Sequence, residues 1–485
     1  MAGRWSTWPR VDTAPSPGAW RAPSKIAPES HPTTRQRFQS AAPIILSATL
    51  LLWPALLNGY PIVFDDTGTY LSQAVHHYLG WDRPIFYSLF LFPLHMTLTT
   101  WPVIAAQGLL AAHTLHLVRR CLLPATSAWW LPAFVLGLTA TTAAPWVTSL
   151  LMPDIFTSLL VLALALLLFT PERLSRLEHV WLLLFSAFMI AAQQSSVCLS
   201  LALLIPLVPL RRVLGAAAPL GRPGLALLAV PPLLAMTALV SVNLVGFGRA
   251  SLSPYGNIFL LARVIYDGPG MDVLRRDCPA QGWRLCPFLD RFPATTDQFL
   301  WRADSPIILA GGHKRVSADA DAIIAAALRA EPGTELRAGL RNGMEQLRRF
   351  ATGDDLHACP DTVTPWIARD FPAFERAAYG AARQTNNRLA VPDWMQALHT
   401  AAALGGVAGC VVVLVVALRR RHVAAGFTAT VLLAVLGNAF VAGGLSAPHD
   451  RYGCRVMFLA PAVAVLGGTA LLRKRCPTDM TRAAA

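Results

Sequence analysis

Ten apolar segments, each near the roughly 20 residues that a helix needs to cross a bilayer, divide this chain. They cover about 41–58, 100–118, 128–147, 154–170, 179–193, 195–210, 224–246, 398–418, 424–445 and 455–472. Gln193, Gln194, Ser195 and Ser196 mark a turn between the fifth and sixth, since one continuous helix would overrun the membrane. The stretch from Pro84 to Leu98 is also apolar, but it is short and broken by Pro93, so it is expected to lie in the interface or to re-enter. Only 14% of the residues are charged and 54% are hydrophobic. A soluble chain carries about 25% charged residues, so lipid is the expected solvent for much of this one.

The net charge of +14 does not point to nucleic acid. The hydrophilic insert 247–396 is nearly balanced, with 18 Lys or Arg against 17 Asp or Glu. The excess lies in the N-terminal tail and in short loops between apolar segments. With the N-terminus inside, Arg119 and Arg120, Arg173 and Arg176, Arg211, Arg212 and Arg222, Arg419 to Arg421, and Arg473 to Arg475 with Lys474 all fall on one side. That is the positive-inside pattern of a polytopic membrane protein.

The expected organisation follows. Residues 1–40 are a disordered cytoplasmic tail, lacking the apolar run of a cleavable signal peptide. Residues 41–246 form a module of about seven spans with an outer loop at 59–99. Residues 247–396 form a mainly helical outer domain, with helices near 317–330 and 334–351 capped by Ser317 and Thr334 and separated by Pro332. Residues 397–473 supply three more spans, and 474–485 a cytoplasmic tail. Cys278, Cys286, Cys359 and Cys454 fall on the outer side, where pairing is permitted, and Cys278 and Cys286 are the closest in sequence. There is no CxxC pair, P-loop, GxSxG, HExxH or dinucleotide fingerprint.

Polar chemistry from distant parts of the chain collects on the outer face. Asp65 and Asp66 follow the first span. One is a candidate general base, with the other tuning it or binding a divalent metal; alternatively, Asp66 caps a helix running to about Tyr78. Asp154 opens the fourth span, as a catalytic partner or as a cap at the positive end of the helix dipole. Arg83, in the run Trp81 to Tyr87, binds a lipid phosphate or a headgroup. Arg451 and Arg455 flank Tyr452 on the side where arginine is disfavoured, which fits phosphate binding or a salt bridge to Asp450 or Asp154. His76 and His77 point different ways on a helix and are expected to be solvated rather than to share a metal. Gln193 to Ser196 could line an outer cavity.

The runs NGYPIVFDDTGTYL, DRPIFYSLFLF and LLMPDIFTSLLVLALALLLF resemble the C-type (GT-C) membrane glycosyltransferases, including protein mannosyltransferases and the lipid A aminoarabinose transferase. The resemblance covers about 41–210 and, more loosely, the spans after 398. It implies an all-α GT-C-like fold and a bacterial-type inner membrane with both termini cytoplasmic. It further implies inverting transfer of a hexose or pentose from a polyprenyl-phosphate carrier to an envelope glycan, lipid or protein. Asp65 or Asp66 matches the first-loop catalytic carboxylate of the family and Asp154 its second-loop acidic residue. Many relatives carry Lys near the fifth and sixth spans, where this chain has Gln193 and Gln194. Arg83, Arg451 and Arg455, with Tyr87 and Tyr452, are therefore inferred as the substrate and phosphate-binding set. No nucleotide cofactor is needed with a lipid-linked donor. A flippase for lipid-linked saccharides and a non-catalytic assembly subunit are the alternatives; few ionisable groups lie mid-span, which weighs against transport.

Overall fold

The computed structural model describes residues 34–216, 222–354 and 356–473. Among them the chain is helical, with one isolated parallel bridge, Ile62 to Leu150, and no strand. Most of the expected tails, 1–33 and 474–485, lies outside the described residues, whereas the first helix already begins at Thr34, inside the segment expected to be a tail.

Five helices are long and apolar enough to cross a membrane: Trp101–Leu122, Gly224–Phe247, Asp393–Arg419, Ala424–Leu445 and Asp450–Leu472. Large apolar side chains stand on the surface of the bundle, among them Ile205, Leu233, Val245 and Val412. Exposed apolar area on this scale marks a lipid-facing surface. The other apolar segments are also helical, but shorter or broken. The first is divided into Thr34–Leu50 and Trp53–Asn58, with Pro54 in the opening turn of the second piece. Another is divided into Trp130–Thr141 and Ala144–Ser149, with Pro145 in the same role. The turn expected at Gln193 and Gln194 separates Arg176–Ala192 from Ser195–Leu210.

Helix Asp154–Phe169 forms the centre of the bundle. All 16 of its residues are buried, as expected of a helix apolar on every side. It packs on Trp101–Leu122, Arg176–Ala192 and Ala424–Leu445. The basic junctions meet at one end of this bundle. Arg120 pairs with Glu178 at 2.6 Å and donates to the Arg173 carbonyl, Arg211 donates to the Leu168 carbonyl, and Arg420 donates to that of Leu471. The opposite end carries the first loop and the insert.

Three local expectations are corrected. Pro93 does not break its segment: one helix, Ile85–His95, runs through it. A proline two residues from the helix end removes one late hydrogen bond and leaves the earlier turns intact. Ser317 and Thr334 are not caps, because the helices start earlier, as His313–Ala330 and Pro332–Arg348. Gly312, at φ 88°, makes the entry into the first, and Pro332 opens the second, where its missing N–H costs nothing. Ser317 instead donates to Asn257 Oδ1 at 2.8 Å.

The insert has two allegiances. Helices Asn257–Tyr266, Pro269–Gln281 and His313–Ala330 share a core of their own around Ile258, Leu261, Val273, Phe299, Val316 and Ile323. The Cys278–Cys286 disulfide closes this subdomain. The later stretch packs Cys359, Val363, Ile367, Phe371 and Tyr379 into the core of the bundle instead.

Candidate active site at the loop end of the bundle

The first loop is fixed by its backbone. Gly59, at φ 81°, turns the chain out of helix Trp53–Asn58. The Ile62 N–H donates to the Ser149 carbonyl at 3.0 Å, and the Leu151 N–H to the Ile62 carbonyl at 2.8 Å, tying this loop to the one before Asp154. Gln384 grips Val63 on both sides, accepting from its N–H at 2.9 Å and donating to its carbonyl at 2.7 Å. At Gly68 the Thr362 carbonyl occupies the space a Cβ would need, so only glycine permits this approach.

Asp66 occupies the N-cap position of helix Thr67–Val75 but its side chain makes no capping bond. Thr67, the first residue of the helix, ties the loop instead, accepting from the Phe64 N–H at 2.9 Å and donating to the Leu151 carbonyl at 3.1 Å. Asp66 ion-pairs with Arg83 at 2.6 Å and with Arg451 at 3.6 Å. Burial pushes its carboxyl up, but the two guanidinium groups outweigh this and hold it below the usual carboxylate range. The Arg451 guanidinium lies 3.7 Å from the centre of the Phe64 ring, and its Nη1 is buried with no hydrogen-bond partner among the described residues. Arg83 and Arg451 thus share one carboxylate, and Arg451 keeps an unused donor.

Behind this cluster, Arg455 pairs with Asp154 at 3.3 Å, both nearly sealed from solvent, and donates to Asn438 Oδ1 at 3.0 Å. Of the readings open for Arg455, the salt bridge to Asp154 is the one observed. Asp450 is engaged elsewhere, accepting from the Ala351 N–H at 2.8 Å.

A cavity of about 300 Å³ gathers Asp66, Arg83, Arg451, Tyr452 and Arg455, together with Gln193, Gln194, Ser195, Trp301 and Asp82. Gln193, Gln194 and Ser195, after Ala192, line this cavity, whereas Ser196 does not. Asp154 does not line it directly and acts on it through Arg455. Two sequence candidates lie elsewhere. Tyr87 is fully buried against Tyr70 and donates to Gln107 Oε1 at 2.5 Å, because it faces inward on helix Ile85–His95. Asp65 turns away from Asp66 and accepts from Thr362 Oγ1 at 2.7 Å. His76 binds Asp370 at 2.8 Å, outside the cavity.

Asp82 was passed over as a site residue in the sequence, where it reads only as the charged entry to an apolar helix. It also borders a second, more open cavity of about 600 Å³, lined by Tyr78, Trp81, Tyr255, His313 and Lys314. Asp82 thus stands in the wall between the two spaces, and its carboxylate forms no ion pair among the described residues. Burial raises its pKa above the ordinary carboxylate range, against the pull of Arg83 beside it. A part-buried carboxyl of raised pKa fits general-base work better than one clamped by two arginines. Its sequence signal was adjacency to Arg83 at the mouth of the interfacial helix.

Comparison with known proteins finds no matching family model, no matching curated protein and no matching solved structure.

Proposed function

We propose that this chain is a ten-span membrane glycosyltransferase of the GT-C type. It moves a sugar from a polyprenyl-phosphate carrier to an envelope acceptor at the outer face of a bacterial-type inner membrane. The observation that carries this reading is the cavity in which a paired Arg83 and Arg451, bridged by Asp66, face an unpaired carboxylate at Asp82. Its position at one end of an apolar bundle suits a lipid-borne donor.

In the reaction, the acceptor hydroxyl oxygen bonds to the anomeric carbon as Asp82 takes its proton. The bond from that carbon to the phosphate oxygen breaks, and its electron pair stays on the departing polyprenyl phosphate. That phosphate gains one negative charge, which Arg83 and the unused Nη1 of Arg451 offset. Attack opposite the leaving group inverts the anomeric centre. Asp66 spaces the two guanidiniums, and Asp154 with Asn438 holds Arg455 behind them. The second cavity, walled by Trp81 and Tyr255 with polar His313 and Lys314, suits an acceptor with apolar faces and hydroxyl edges.

The test is transfer by the purified full chain in nanodiscs, supplied with labelled polyprenyl-phosphate hexoses and pentoses. Release of polyprenyl phosphate by wild type, and its loss in Arg83→Gln and Asp82→Asn, is expected. Movement of the intact donor across vesicles without cleavage would sink the reading in favour of a flippase.

A further inference from the structure

We propose that Asp65, His357 and Cys359 form a binding site for a divalent ion of the zinc class, which ties the first loop to the later part of the insert. These residues come from distant parts of the chain, yet one ligand atom of each lies within 4.8 Å of the other two. The Asp65 Oδ2 to His357 Nε2 distance is 3.6 Å. Ligands 2.0–2.3 Å from a tetrahedral ion sit about 3.3–3.8 Å apart, so the set needs to close by only about 1 Å. Magnesium and calcium take oxygen ligands, whereas imidazole with thiolate and one carboxylate selects zinc or cobalt.

The surroundings are those of a held site. Thr362 Oγ1 donates to Asp65 Oδ1 at 2.7 Å, which fixes the carboxylate and leaves Oδ2 toward His357. An outer hydrogen bond of this kind orients a metal ligand. The backbone carrying the other two ligands is also pinned. Gln384 Nε2 donates to the His357 carbonyl at 3.1 Å, the Ala358 N–H donates to Asn387 Oδ1 at 2.9 Å, and Thr364 Oγ1 donates to the Cys359 carbonyl at 3.2 Å. Cys359 is 1% exposed and forms the floor, while the Asp65 and His357 side chains are 43% and 51% exposed and form the mouth. Three protein ligands with a solvent-facing mouth leave the fourth position to water. Binding converts the Cys359 thiol to a thiolate and releases its proton.

The same Gln384 that steadies His357 grips Val63, three residues before Asp66. The ion therefore locks the loop from which Asp66 reaches Arg83 and Arg451. This site does not depend on the transferase reading, and its test uses no sugar.

The experiment titrates cobalt(II), then zinc, into the metal-stripped full chain in detergent, with the Cys278–Cys286 disulfide intact. One equivalent of cobalt is expected, with visible ligand-field bands and a near-ultraviolet thiolate-to-cobalt band that zinc displaces. Cys359→Ser should remove the thiolate band, and Cys198→Ser, at an exposed cysteine elsewhere, should keep it. His357→Gln, an exposed position chosen to fold even if Cys359→Ser does not, should weaken binding by roughly 10–100-fold or more and abolish the rise in Tm with zinc. No stoichiometric binding, a thiolate band that survives Cys359→Ser, or equal affinity in wild type and His357→Gln would overturn the proposal.

Discussion

Asp65 and Asp66 are covalent neighbours that serve two different environments. Asp66 faces the cavity of about 300 Å³, between two guanidiniums, with its side chain 12% exposed. Asp65 faces outward to a threonine, a histidine and a cysteine, and its side chain is 43% exposed. The loop between Phe64 and Thr67 sends successive side chains to opposite sides, so identical residues meet arginine on one side and soft ligands on the other. Chemistry here follows from partners rather than from residue type. A carboxylate held by two arginines is an organiser of cations. A carboxylate beside imidazole and thiol is the proposed metal ligand. The one proposed to move a proton is a third, Asp82, 16 residues beyond Asp66 along the chain.

The largest effect is expected at Asp82. Asp82→Asn should slow transfer by ~10²–10⁴ with donor binding retained, read from single-turnover release of polyprenyl phosphate. Wild-type rates in Asp82→Asn, with loss of transfer in Asp66→Asn, would return the base to the first-loop pair. Next is the inner cluster. Asp66→Asn removes the carboxylate that Arg83 and Arg451 share in a largely buried cluster and should cost ~3–5 kcal/mol, measured by unfolding in detergent. Asp65→Asn in metal-stripped protein loses only an exposed pairing and should cost ~0.2–1 kcal/mol. If the two substitutions are equally damaging, the contrast between the two sides of the loop is wrong.

The pH profile gives the subtlest separation. A base must be deprotonated to act, so kcat/KM should rise with pH and level off once Asp82 is ionised. Burial places that acid limb above the ordinary carboxylate range. The charged and titratable groups around Asp82 are Asp66, Arg83, Asp297, His449, Arg451 and Arg455 in one cavity and His313 and Lys314 in the other. Asp82→Asn should flatten the limb, while His313→Gln should move it only slightly, since burial lowers the His313 pKa. An unchanged limb in Asp82→Asn would assign it to another group.

Much of the scaffold was legible from residue order. Each apolar segment is helical, the turn at Gln193 and Gln194 occurs, and the basic junctions gather at one end. Apolar runs of this length have few other ways to satisfy their backbone. Local punctuation was less legible. Pro93 sits inside a helix, and Ser317 yields its cap to Gly312, because tertiary packing outweighs a single breaker or capping residue. The split of the insert between its own core and that of the bundle was not visible, since hydrophobic periodicity does not name the partner.

The sequence by itself determined that this chain is helical, with apolar segments suited to a membrane, and that its basic junctions and its acidic first loop lie at opposite ends. Length and polarity are properties of a segment and need no neighbour to act. Only the tertiary structure decided which carboxylate meets which cation. Arg455 finds Asp154, Arg451 and Arg83 share Asp66, Asp65 meets His357 and Cys359, and Asp82 divides two cavities. Pairing energies fall off within a few ångströms, so they are fixed by distances that folding sets and residue order does not record.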